Sequence, residues 1–241
     1  MKISIVIPAF NEEKLIERTL RSIKASLAAF SRLGWEHEII VCDNNSSDRT
    51  AELARAEGAF VAFEPVNQIS RSRNKGASAA TGDWLVFVDA DSSPTQELFA
   101  DVAAQIQSGK CLGGGATVQL DDDRGWTRCL MHGWNLLSRV GTCAAGSFIF
   151  CKAEAFREIG GFSQELFVAE EVEFSNRLKK LARQTGKKMV ILHRYPLKTS
   201  ARKMDLYSFS DYLWFLLRTC LRCGGTFKDR AACIPWYDGR R

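Results

Sequence analysis

The hydrophobic pattern of the first part of the chain alternates between two kinds of segment. Short apolar runs rich in β-branched residues predict buried strands, and the longer segments between them have apolar residues at helical spacing. This βαβαβαβ order predicts a parallel sheet with helices on both faces. The predicted strands span residues 3–10, 37–43, 59–65 and 84–91, and the predicted helices span 12–30, 46–58 and 70–80.

The pattern is less regular after residue 95. A helix is predicted over 96–109, with Ser93-Pro94-Thr95-Gln96 as its capping box. Without internal repeats or low-complexity linkers, residues 1–202 are predicted to form one α/β domain. The remaining predicted strands span 112–121, 144–152 and 187–193, and the remaining helices span 128–141, 154–162 and 170–186.

Residues 203–241 are predicted to form a helical C-terminal tail. Within 204–223, apolar residues recur at helical spacing, so we expect an amphipathic helix that packs on the core or lies on a membrane surface. No stretch reaches the ~18 uninterrupted apolar residues of a membrane span. The N-terminal apolar run is too short for a signal peptide. These features predict a cytoplasmic protein, with peripheral contact at the inner face of the membrane as an option.

The composition excludes few classes of function. The content of 46% hydrophobic and 25% charged residues is ordinary for a globular protein. A net charge of +5 suits an anionic ligand or a lipid surface, but no basic stripe with interleaved aromatic residues indicates nucleic acid. The eight cysteines are scattered and predict reduced thiols. Cys220, Cys223 and Cys233 offer three thiols without an apparent fourth zinc ligand.

Polar clusters follow three of the predicted strands. They are AFNEE at 9–13, DNNSSD at 43–48 and DADSS at 89–93. In open α/β sheets, ligands bind beyond the carboxyl ends of the strands. We therefore expect these three clusters to face one crevice.

Asp89 and Asp91 end a buried apolar strand and suit a divalent metal. Mg²⁺ and Mn²⁺ prefer carboxylate oxygens and are commonly held by one or two carboxylates, with substrate phosphates completing the site. A turn that only caps the next helix is one alternative. Another is a haloacid-dehalogenase-like phosphatase with Asp89 as nucleophile, although three βα units precede this strand here. The second acidic run, at 121–123, is predicted to be a solvated turn.

Five motifs in order make the chain resemble family-2 glycosyltransferases of the GT-A fold, over about residues 3–202. This resemblance implies a Rossmann-like, mostly parallel sheet sandwiched by helices. It also implies metal-dependent, inverting transfer of a sugar from a nucleoside-diphosphate sugar to a hydroxyl acceptor, with Mn²⁺ or Mg²⁺ as cofactor. The motifs are SIVIPAFNEE (4–13), IIVCDNNSSDRT (39–50), RNKGASAATGDWLVFVDAD (73–91), AAGSFIFCKAEAFREIGGF (144–162) and FVAEEVEFSNRLKK (167–180).

The resemblance also implies roles for individual residues. Asp91 would bind the metal, with Asp89 beside it at the sugar or ribose, and Glu171 would be the general base that deprotonates the acceptor. Glu171 stands where the family usually has aspartate. The implied nucleotide-sugar-binding residues are Pro8, Ala9, Phe10, Glu12, Asp43, Arg73, Asp89, Gly146, Ser147 and Arg202.

Two features depart from the family or remain open. Many GT-A enzymes supply a further metal ligand, often histidine, after the last core strand, whereas His193 is predicted to lie within that strand. The T-S-A-R pattern ending at Arg202 occurs in a subgroup and would place this arginine at the phosphates.

Lipid-linked acceptors are frequent among related enzymes, so a polyprenyl-linked acceptor and membrane contact are options, as is an oligomer. A relative that binds sugar nucleotides without catalysis is the non-enzymatic alternative.

Overall fold

The computed structural model describes residues 1–122, 124–202, 225–229 and 233. The predicted amphipathic segment 204–223 lies outside these residues, and so do Cys220 and Cys223. Among the helices within them, none is long and apolar enough to cross a membrane.

One eight-stranded sheet with the order β3-β2-β1-β4-β7-β6-β8-β5 forms the centre of the molecule. β1 pairs in parallel with β2 and β4, and β2 with β3, as the βα alternation predicts. β7 is antiparallel to both β4 and β6, so the sheet is mixed beyond β4. The strands are β1 (Lys2–Ala9), β2 (Glu36–Asp43), β3 (Phe60–Phe63), β4 (Trp84–Val88), β5 (Ser92–Ser93), β6 (Cys111–Leu120), β7 (Phe148–Lys152) and β8 (Lys188–Thr199).

Helices cover both faces of the sheet. β1 alternates, because Ile5 and Ile7 point into one hydrophobic core and Val6 into the other. The first core contains residues of α1 and α5, and the second contains residues of α7 and α8. The helices are α1 (Ile16–Ser26), α2 (Ala28–Ser31), α3 (Thr50–Ala56), α4 (Ile69–Ala79), α5 (Gln96–Gln107), α6 (Gly125–Gly141), α7 (Ala153–Glu158) and α8 (Glu170–Gln184). The predicted α/β class with helices on both faces is confirmed.

The predicted capping box is wrong. α5 begins at Gln96, and its N-cap is Thr95, whose hydroxyl accepts a hydrogen bond from Leu98 N–H. Ser93 is instead part of β5, where it pairs with Lys198 of β8. Tertiary strand pairing therefore overrides the local capping signal.

β8 extends six residues beyond the predicted end at 193, to Thr199. This extension pairs with the end of β6 and with β5, so it brings Thr199 beside Ser92. Asp121, in the predicted acidic turn, accepts a hydrogen bond from Ala201 N–H and fixes the chain that follows β8. The long β8 closes the sheet next to the DADSS segment.

Candidate active site

A cavity of ≈ 220 Å³ lies at the carboxyl ends of β1 and β4 and at the start of α8. It brings together ten of the twelve predicted site residues. These are Pro8, Ala9, Phe10, Glu12, Arg73, Asp89, Asp91, Gly146, Ser147 and Glu171. Asp43 and Arg202 do not line it, although sequence reasoning placed both at the nucleotide sugar.

Asp89 and Asp91 follow β4 and are both partly exposed to this cavity. The loop is fixed by backbone hydrogen bonds, since Asp89 N–H donates to Ser147 O (3.2 Å) and Ser200 N–H donates to Asp91 O (3.1 Å). Asp91 Oδ1 accepts from the Thr199 hydroxyl (3.2 Å). The two carboxylates are thus held by the neighbouring strand ends.

Arg73 is the most deeply buried charged residue of the site, with a side chain 1% exposed. Its Nη1 donates to Glu170 Oε1 (2.7 Å), and its Nη2 donates to Asp89 Oδ1 (3.2 Å) and to Gly146 O (2.7 Å). The guanidinium also lies 5.2 Å from the ring centroid of Phe162. Arg73 therefore ties the end of β4 to the start of α8, and its predicted contact with a diphosphate stays a prediction.

Glu170 is a partner that sequence reasoning missed, because that reasoning assigned a role only to the second acid of the pair. Burial and the charge of Glu171 raise the pKa of Glu170 to about 8, although Arg73 opposes the shift. Burial also raises the pKa of Glu171. Burial alone would lower the pKa of Arg73, but Asp89, Glu170 and Glu171 raise it. Three carboxyl groups thus share one guanidinium, and the raised pKa values show that burial and mutual repulsion oppose the ionisation of the two glutamates.

The backbone at the start of α8 directs the two glutamates into the cavity. Ala169 precedes the helix with a left-handed φ of 64°, and the helix begins at Glu170. Glu173, in the same first turn, points elsewhere and pairs with Arg177 at 2.5 Å. A Cβ at Gly146 would lie 3.1 Å from Arg73 Nη2, so glycine lets the wall approach this cluster closely.

The loop before α8 forms another wall of the cavity through Phe167, Val168 and Ala169. Phe167 N–H donates to Phe227 O at 2.7 Å, and Lys228 pairs with Glu165 at 2.8 Å. The loop is therefore held by a segment near the end of the chain, which the sequence motifs do not indicate.

The ends of β1 and β2 form the other side of the site. Glu12 is buried, lines the cavity and pairs with Arg202 at 2.8 Å. Asp43 Oδ1 accepts from Ser46 N–H in its own loop. Asn44 lines the cavity as well. Its side-chain amide donates to Val66 O (2.7 Å) and accepts from Gln68 N–H (2.9 Å). The ligand roles of Asp43 and Arg202 stay predictions.

The donor set suits a hard divalent cation. Over the part of the chain that the structure describes, no group of three or more His, Cys, Asp or Glu side chains could hold a metal. His193 is exposed within β8, so no histidine joins the pair there. The carboxylate oxygens of Asp89 and Asp91 still fit Mg²⁺ or Mn²⁺, which complete their shell with water and substrate phosphates.

Comparisons with curated proteins identify relatives that transfer sugars. One is dolichol-phosphate mannosyltransferase from Pyrococcus furiosus, 32% identical over 45% of this chain and 31% of its own length. Another is undecaprenyl-phosphate 4-deoxy-4-formamido-L-arabinose transferase from Edwardsiella ictaluri, 32% identical over 52% of this chain and 39% of its own length. The chain thus spans well under half the length of these relatives.

Solved structures with the same fold include two nucleotide-sugar complexes. Mannosyltransferase PcManGT from Pyrobaculum calidifontis, with GDP-Man and Mn²⁺, superposes with a TM-score of 0.66 at 18% identity, over 90% of this chain and 60% of that one. S. aureus TarS 1-349 with UDP-GlcNAc gives 0.65 at 20% identity, over 98% and 69%. These likenesses confirm the predicted GT-A architecture. The profile described as Glycosyl transferase family 2 matches residues 4–160, and the chain therefore belongs to glycosyl transferase family 2.

Proposed function

We propose that this protein is a metal-dependent, inverting glycosyltransferase that moves a sugar from a nucleoside-diphosphate sugar to a hydroxyl acceptor. One observation carries the proposal. A single cavity is lined both by the acid pair Asp89/Asp91 at one strand end and by Glu171 at the start of α8. A donor site and a base that share one cavity are what an in-line displacement requires.

Asp91, with Asp89 beside it, would hold Mn²⁺ or Mg²⁺. When bound, the cation would neutralise charge on the departing nucleoside diphosphate. The closeness of Asp89 and Asp91 in one cavity supports this role, since a cation relieves the repulsion between neighbouring carboxylates. The solved relative with GDP-Man and Mn²⁺ supports the use of a divalent metal in this fold.

Glu171 would act as the general base. It accepts the proton of the acceptor hydroxyl while that oxygen bonds to the anomeric carbon and the bond from this carbon to the diphosphate oxygen breaks. Because the nucleophile enters opposite the leaving group, the anomeric configuration inverts. Burial raises the pKa of Glu171, and a carboxylate with a raised pKa is a stronger base.

Arg73 would position the groups on both sides of the reaction. Through its hydrogen bonds to Asp89 and Glu170, it fixes the distance between the metal-binding strand end and the first turn of α8. Removing its charge would leave Glu170 buried without its cation, which is costly.

The acceptor would be carried by a polyprenyl lipid. The names of the two curated relatives, which act on dolichol phosphate and undecaprenyl phosphate, support this class. A lipid-linked acceptor would also place the enzyme at a membrane surface.

Calorimetric titration of UDP-, GDP- and dTDP-sugars, with and without Mn²⁺, tests the proposal. We expect one donor class to bind in a metal-dependent manner and Asp91→Ala to abolish the metal dependence. Asp101→Ala, on α5, is the matched control and should bind as the wild type does. Absence of metal-linked binding by every donor would contradict the proposal. Hydrolysis of an aryl phosphate in its place would favour the phosphatase alternative.

A further inference from the structure

We propose that α6 lies flat on an anionic lipid surface through its outer face, defined as Trp126, Leu130, Leu136, Leu137 and Val140. This inference goes beyond the proposed function, because binding a lipid surface requires neither donor nor acceptor. Only the delivery of a lipid-linked acceptor to the cavity rests on the proposed function.

Five apolar side chains of α6 point away from the protein, whereas Met131 and Trp134 are half-buried. Leu136, Leu137 and Val140 are 56%, 68% and 78% exposed, and Trp126 and Leu130 are exposed as well. At 100° per residue, these five positions fall within one arc of about 120°. Contiguous exposed apolar surface of this kind marks an interaction site.

Three small polar side chains of α6 face the protein. Asn135 inserts its amide against β6, where its Nδ2 donates to Val118 O (2.8 Å) and its Oδ1 accepts from Val118 N–H (2.9 Å). Buried Ser138 donates to Cys143 O, and buried Thr127 donates to Arg124 O. Within the described chain, no α6 residue belongs to either hydrophobic core. The helix therefore cannot roll its apolar side inward without losing the two hydrogen bonds between Asn135 and Val118.

The charges on α6 select the occupant. Its sequence, GWTRCLMHGWNLLSRVG, contains no acidic residue. Arg128 and Arg139 are exposed, three turns apart, and lie on one flank of the helix, about 60–80° from the nearest edge of the outer face. An apolar strip with arginines on its flank suits the boundary between acyl chains and anionic headgroups. A second copy placed on this face would bring like charges together.

The location of α6 connects this surface to the cavity. The 17-residue helix is about 25 Å long. The chain that leaves its C-terminus continues directly into Gly146 and Ser147, which line the cavity. A docked α6 would therefore hold the cavity beside the bilayer.

Vesicle flotation of the full chain tests the inference, using phosphatidylcholine vesicles with and without phosphatidylglycerol. We expect binding to the anionic vesicles. The double change Leu137→Glu/Val140→Glu should lower the partition constant on the order of 100-fold, since two apolar side chains no longer enter the lipid. Arg128→Gln/Arg139→Gln should lower it about 30-fold and weaken its salt dependence.

Phe60→Glu/Phe63→Glu is the matched control, because both phenylalanines are similarly exposed on the edge strand β3 (61% and 53%). It should bind vesicles as the wild type does. Equal binding by Leu137→Glu/Val140→Glu, no binding by the wild type, or equal binding to both vesicle types would overturn the inference.

Two other occupants of the outer face predict different results. If a second copy covers it, light scattering will show a wild-type dimer that Leu137→Glu/Val140→Glu dissociates. If the chain covers its own helix, this variant will unfold at a lower temperature than Phe60→Glu/Phe63→Glu. Either result without vesicle binding would overturn the inference. Metal-dependent donor binding by the same wild-type protein would show that the proposed function survives.

Discussion

α6 and α8 are both amphipathic helices beside the cavity, and they face opposite ways. α8 buries Phe174 and Leu178 in the second core. α6 buries Thr127 and Ser138 and exposes its leucines. An amphipathic pattern therefore predicts a helix but does not show which side of that helix packs against the protein.

The difference in anchoring suits the different roles proposed for the two helices. A helix packed into a dense core is held rigidly, which the general base proposed at Glu171 requires. α8 carries Glu171 in its first turn, directly before its buried residues. α6 is attached by a few hydrogen bonds and keeps its apolar surface available.

Glu171→Gln should have the largest effect. Because it removes the base and keeps the shape, we expect sugar transfer to fall by roughly 10²- to 10⁴-fold with donor binding retained. Glu173→Gln, in the same turn but paired with Arg177, is the control and should leave transfer nearly unchanged. Both are measured as initial rates with saturating donor. Equal losses of transfer rate in the two variants would mean that transfer depends on the first turn of α8 as a whole and not on Glu171 as the base.

A leucine-to-alanine change should destabilise the protein much more on α8 than on α6. Leu178→Ala should lower the free energy of unfolding by about 2–5 kcal/mol, because Leu178 is fully buried. Leu137→Ala should change it by less than about 0.5 kcal/mol. Chemical denaturation measures both. A large loss for Leu137→Ala would show that this residue is covered by the protein itself.

Stability should fall as the pH rises between about 4.5 and 8. In this window folded Glu170, with its pKa raised to about 8, keeps a proton that the unfolded chain releases near 4.5. The folded state then binds more protons, so the unfolding free energy decreases with pH. Glu170→Gln should reduce this slope in metal-free buffer, although the raised pKa of Glu171 contributes in the same direction. A slope equal to that of the wild type would contradict the assignment.

Asn135→Ala should lower the free energy of unfolding by about 1–3 kcal/mol. The change leaves the backbone N–H and C=O of Val118, in a buried strand, without their hydrogen bonds to the Asn135 amide. His132→Ala, exposed on the same helix, is the control. Hydrogen exchange at Val118, compared between the variants, localises the loss. Unchanged exchange would mean that the amide does not anchor α6.

Much of the fold was predictable, because the two hydrophobic periods are strong in the first half of the chain. The order of strands and helices through β4 follows from them, and so does the crevice at the strand ends. β5 was missed because a two-residue strand has no periodic signal of its own. The capping box failed since Ser93 is used by that strand pairing.

The site was predictable where motifs fix single positions and not where tertiary contacts decide. Asp89, Asp91 and Glu171 meet in one cavity, as the resemblance implies. The burial of Arg73 and its bond to Glu170 join residues 97 positions apart, and no local pattern reveals such a pair. Equally, nothing local shows that Asn135 faces β6, so the orientation of α6 emerged only from the structure.

The hydrogen bond from Phe167 to Phe227 determines the order in which two parts of the cavity can form during synthesis. Phe227 follows the last strand, β8, in the chain, so the loop before Glu171 acquires this bond only after every strand of the sheet has been synthesised. A nascent chain would have its sheet and the pair Asp89/Asp91 before the loop that precedes Glu171 is held by this hydrogen bond. Removing the C-terminal residues would keep the protein at that earlier stage.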